Sequence, residues 1–208
     1  MSEAPPGSVT IEVRREWDGH LLRTSHLRPQ DSVAVLIGYR LDPWPVDSGM
    51  PPIVAEAFGR ALPRFGMIAG RWLGRAPPHG ELQFLPANRP LLQRIVRRLT
   101  GQWLADLVLT CSPATTIDLF GWGWDMQWQF LLVIDPACKA SPADALAALR
   151  RPGRWDRYIL VPPVIAAIAP GVDGDYALLA ADSEQRLSAI LAALGRDFTA
   201  AGFQIKSA

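Results

Sequence analysis

The sequence predicts an α+β fold, a single domain in which a mixed or largely antiparallel sheet of about six to eight strands is packed by three or four helices. Three observations carry that expectation. Strand-like segments cluster at 9–41 and 104–135, and helical stripes fall between and after them instead of alternating strictly with strands. No internal repeat, low-complexity tract or linker divides the chain. With 49% hydrophobic and 20% charged residues over 208 positions, the chain has the apolar content to bury one substantial core. Residues 1–8 read as a flexible lead and 9–208 as the domain.

Val9–Trp17 opens the series: Val9, Ile11 and Val13 alternate with Thr10, Glu12 and Arg14, the period of a half-buried strand. Asp18-Gly19 signals a turn that would bring His20–Leu27 back as a hairpin partner. Val33–Leu41 is a short apolar run suited to a central strand. The prolines and glycine of 42–52 impose a loop. Val54, Ala57, Phe58, Ala61 and Leu62 then form one stripe of a helix over Ile53–Phe65.

Trp72–Gly80 reads as loop and Glu81–Leu85 as a strand. Asn88 caps a helix over Pro90–Thr100, whose Leu91, Leu92, Ile95, Val96 and Leu99 lie opposite Gln93, Arg94, Arg97 and Arg98. Leu104–Cys111 and Thr115–Phe120 read as strands around a Ser112-Pro113 turn, and Trp122–Ile134 as a long strand. Ser141-Pro142-Ala143-Asp144 opens a short helix to Arg150. Tyr158–Val161 and Tyr176–Ala180 read as strands, and Asp182 or Ser183 caps a last helix over Glu184–Ala201, closed by Gly202.

Composition narrows the function. The formal net charge is +1, so no overall field draws the chain to nucleic acid or to an anionic membrane. The arginines at 89, 94, 97 and 98 therefore read as a solvated helix face. No apolar run approaches the roughly 20 residues of a membrane span, and the N-terminus lacks the pattern of a secretory signal. The two cysteines, Cys111 and Cys138, form no zinc or redox motif, which suits a reducing cytoplasm, and Cys111 is expected to be buried. No metal site and no cofactor is predicted: the pair His20 and His26 lacks an obvious third ligand, and glycine-rich phosphate loops are missing.

The candidate site centres on Trp122–Phe130. On a strand, Trp122, Trp124, Met126, Trp128 and Phe130 would share one face, with Asp125, Gln127 and Gln129 on the other. An aromatic row of that kind is either core or a platform for a partner, because tryptophans give large contact area at low entropic cost. Trp44 and His79, in the two long loops, complete the candidate binding residues.

These features predict a non-enzymatic cytoplasmic protein-binding domain, of which a bacterial immunity or antitoxin-type inhibitor is one concrete version. The first alternative is a small hydrolase or transferase with a Trp-lined pocket and proton transfer by Asp118, Asp125 or His79. The second is a structural homodimer joined through a sheet face.

Overall fold

The computed structural model describes residues 8–14, 26–37, 52–74, 83–84, 103–123, 131–137, 158–170 and 176–207, together with helical backbone at 91–92, 95 and 98–99. Its strands are β1 (Ser8–Arg14), β2 (Ser32–Ile37), β3 (Met67–Gly74), β4 (Gln83–Phe84), β5 (Trp103–Thr110), β6 (Leu131–Ile134), β7 (Val164–Pro170), β8 (Tyr176–Ala181) and β9 (Gln204–Ser207). The helices are α1 (Pro52–Ala61), continued by a 3-10 turn at Leu62–Arg64, α2 (Pro113–Gly123) and α3 (Glu184–Ala200). The strands form one sheet in the order β4-β5-β3-β6-β7-β8-β2-β1-β9. Neighbours are antiparallel throughout, except that β1 runs parallel to β9. The fold is α+β with a largely antiparallel sheet.

Because side chains on a strand alternate between faces, each central strand feeds two cores. Ala34, Ile68, Val108, Leu131, Val133, Ile168 and Leu179 face the helices. Their neighbours Val33, Ala69, Leu109, Leu132, Ile134, Ala167 and Leu178 face the opposite side, where Ile159, Leu160 and the partly buried Leu27 pack against them. The register shifts where β6 meets β7, with Val133 opposite Ala166 but Ile134 opposite Val164. Ile165 is thus an extra residue, and it turns to the helical core next to Ala166.

On the helical side a ladder of aromatic rings joins three helices and Phe203, the residue before β9. Phe58 of α1 stacks on Phe120 of α2 at 5.0 Å and meets Phe198 of α3 edge-on at 6.1 Å. Phe198 in turn meets Phe203 edge-on at 5.6 Å. The close approach of α1 to α2 depends on Gly59, where a Cβ would lie 2.3 Å from Cγ1 of Ile117. Gly66 does the same for the backbone, since a Cβ there would lie 2.2 Å from the carbonyl oxygen of Ile134. Arg64 pairs with Asp197 at 3.2 Å, linking the 3-10 turn to α3.

Several elements follow from sequence as expected. α1 buries Val54, Ala57, Phe58 and Ala61 and carries the Glu56–Arg60 pair on its exposed side. Ser183 caps α3 by accepting a hydrogen bond from the Arg186 amide, and Gly202 closes it at φ 89°.

Other expectations are corrected. Thr115–Phe120 is not a strand but the body of α2. Ser112 supplies the cap that decides it: its Oγ accepts from the Thr115 amide and its carbonyl oxygen from the Thr116 amide, with Pro113 at the first helical position. The long strand over Trp122–Ile134 is replaced at its start by the end of α2 and survives as β6. Trp72–Gly74 belongs to β3 instead of a loop. Tyr158–Val161 is a turn region, and the strand begins at Val164 after the cis Pro162–Pro163 bond. The antiparallel partner of β1 is β2, in place of His20–Leu27. The helix expected over Ser141–Arg150 lies outside the described residues.

Candidate functional site

Of the residues singled out from sequence, Trp122 lies in the last turn of α2, so it does not share a strand face with Trp124 and Trp128. A helix reaching Gly123 breaks the two-residue period on which the aromatic row depends. Trp124, Asp125, Gln127, Trp128, Gln129, Trp44 and His79 lie outside the described residues.

The described residues form a cleft of about 270 Å³ elsewhere, at the end of the sheet where β6 and β8 finish and β7 and β2 begin. Pro162, Pro163, Val164 and Ile165 line one part of it, and Arg28, Gln30, Asp135, Asp182 and Arg186 supply the polar groups. Four separate segments meet here, held by backbone hydrogen bonds. The amide of Ile159 donates to the carbonyl of His26, that of Asp135 to Pro163, and that of Asp182 to Ile165.

Each arginine is held by a carboxylate of its own segment. Arg28-Pro29-Gln30-Asp31 is a β-turn closed by the Asp31 amide on the Arg28 carbonyl at 3.0 Å, with Pro29 at the position that a type I or II turn favours. Asp31, whose side chain is completely buried, accepts from Nε and Nη2 of Arg28 on Oδ1 and from the Arg28 amide on Oδ2. On the other side, Nε of Arg186 donates to Oδ1 of Asp182 at 2.7 Å, and the Ser183 hydroxyl donates to the same oxygen. Asp135 accepts from the Ala137 amide on Oδ1. The guanidiniums are therefore locked from their Nε sides, while Nη1 of Arg28 and both terminal nitrogens of Arg186 have no partner among the described residues.

Sequence reasoning missed this site because its residues come from positions 28, 135, 182 and 186, with no contiguous motif. The one local signal was the Arg-Pro-Gln-Asp turn.

A second surface is formed by residues 91, 92, 95 and 99, whose backbone is helical. Leu91, Leu92, Ile95 and Leu99 are 68%, 49%, 47% and 80% exposed. Their spacing puts them along one side of a helix.

The remaining candidates are scattered. Asp118 lies on α2, and burial pushes its carboxyl above the ordinary carboxylate value. It does not line the cleft. Cys111, expected to be buried, is an exposed free thiol just after β5. His26 is buried, and its carbonyl accepts a hydrogen bond from the Ile159 amide. Among the described residues no group of three or more His, Cys, Asp or Glu could hold a metal ion, and no helix is long and apolar enough to cross a membrane. Compared with protein-family models, curated proteins and solved structures, the chain matches none.

Proposed function

We propose that the chain is a non-enzymatic protein-binding domain that acts by covering a partner's surface, in the manner of an immunity or antitoxin-type inhibitor in a bacterial cytoplasm. The observation that carries this reading is the exposed row Leu91, Leu92, Ile95 and Leu99. Contiguous apolar side chains in water cost free energy at about 25 cal/mol per Å², which burial against a partner recovers. An amphipathic helix offering residues at this spacing suits an apolar groove. The surface thiol of Cys111 suits a reducing compartment.

The test pairs Leu92→Asp and Ile95→Asp with the wild type. We expect both variants to keep the wild-type thermal transition, because the replaced side chains are exposed, and to lose a partner protein that the wild type retains through purification from its native host. Equal recovery by variant and wild type, or no partner with either, overturns the reading. A wild-type dimer by light scattering that the variants dissociate would transfer the surface to self-association.

A further inference from the structure

We infer that the cleft between Arg28 and Arg186 is a binding site for a zwitterion, whose carboxylate is taken by the free guanidinium nitrogens and whose ammonium group is taken by Asp135.

The donors point to a carboxylate. Arg28 spends its Nε edge on Asp31 and Arg186 spends its Nε on Asp182, which leaves terminal N–H groups on both without a partner among the described residues. A guanidinium fork matches the two oxygens of a carboxylate. Arg28 is fixed beforehand by the fully buried Asp31, so little side-chain entropy is lost when a ligand binds.

The charge balance points to a cation beside it. Among the described residues, Asp135 and Asp182 of the lining and Asp31 behind Arg28 face two arginines, so a lone anion would meet one more carboxylate than guanidinium. A ligand with its own ammonium group avoids that repulsion. Among the described residues no arginine binds Asp135, and its Oδ2 has no partner. The volume, about 270 Å³, lies just below the range usual for drug-sized ligands, roughly 300–1,000 Å³, and suits a group of amino-acid size.

The same pair of charges occurs on a free amino acid and on neighbouring acidic and basic side chains of a polypeptide. Backbone amide shifts of the intact, nitrogen-15-labelled protein separate these sources when it is titrated with L-glutamine and with the blocked dipeptide acetyl-Asp-Lys-amide. N-acetyl-L-glutamine and L-glutaminamide each keep one charge only. We expect saturable shifts at Asp135, Ala137 and Asp182 with L-glutamine, the dipeptide or both, and binding weaker by about tenfold with either single-charge derivative.

Arg186→Lys keeps the charge but loses the fork, and should weaken every carboxylate ligand by about tenfold. Asp135→Asn keeps an acceptor for the Ala137 amide and should weaken only ligands that carry the ammonium group. The inference is overturned if neither zwitterion gives a saturable shift up to about 50 mM, a ceiling well above millimolar affinity. It is equally overturned if N-acetyl-L-glutamine binds as tightly as L-glutamine, or if both variants titrate like the wild type. None of these outcomes depends on the protein-binding reading, which concerns a different surface.

Discussion

On its helical side the sheet meets Phe58, Phe120 and Phe198, three of the largest fully buried side chains. On its opposite side it presents Ala69, Ala167, Ala169 and Ala180 among its buried residues, with Ile159 and Leu160 laid against them. The helical side holds Ala34, Ala166, Ala177 and Ala181 as well, so the two faces differ in what covers them and not in the size of the sheet's own side chains. The difference shows in what each face supports. Phe58, Phe120 and Phe198 join three regular helices on one side, whereas Ile159 and Leu160 come from an irregular segment on the other, and the charged cleft draws on both, with Arg28 from a turn and Arg186 from α3.

The largest loss of stability is expected at the aromatic ladder. Phe58→Ala removes a ring that touches both Phe120 and Phe198, and should cost about 3–5 kcal/mol in urea denaturation. A cost below about 1 kcal/mol would mean that the helices are held by something other than this ladder. On the opposite face the sensitive change is an increase in size. Ala167→Leu places a large side chain where the wild type is 1% exposed, and should cost about 1–3 kcal/mol by the same measurement. If the larger residue is tolerated, that face is loosely covered and the contrast fails.

A smaller effect of opposite sign is expected at Gly195, within α3, where an added Cβ meets nothing within 4 Å. Gly195→Ala should stabilise the protein by about 0.5–1 kcal/mol, seen as a higher denaturation midpoint. The smallest effect concerns pH. Burial raises the folded-state value of Asp118, so the folded protein binds the proton more tightly than the unfolded chain does. The resulting stability is fully present below the ordinary Asp value and is lost as pH rises through the raised one. Asp118→Asn carries no such proton. Its stability relative to wild type should therefore increase across that acid window and stay level above it, read from denaturation midpoints at several pH values.

Much of this architecture was legible where pattern and capping agreed. Val9–Val13 alternates as a strand should, α1 shows its apolar stripe, and α3 has both the Ser183 cap and the Gly202 stop. Legibility failed where the two signals conflicted. Thr115, Thr116 and Ile117 are β-branched and favour a strand, yet the Ser112 cap and the fit of Ile117 against Gly59 make them helical. Pro162 and Pro163 concealed that the strand starts only at Val164. Trp72–Gly80 reads as loop, although its first three residues are the end of β3, which also contains the completely buried Ile68 and Ala69. The cleft was illegible for a different reason. It is a product of strand order, which brings residues 28, 135, 182 and 186 together without any of them being neighbours in a motif.

The parallel pairing of β1 with β9 carries a consequence for assembly in time. Ser8 pairs with Gln204, so two neighbouring strands of the sheet come from nearly opposite ends of the described chain. During synthesis β1 can pair with β2 early, but its other edge stays open until β9 has left the ribosome. Contacts of such long sequence separation form late, because a large loop must close before they are rewarded. Until then the exposed edge of β1 is a template on which another unfinished chain could pair. A chain that stops short of β9 therefore keeps the edge of β1 uncovered.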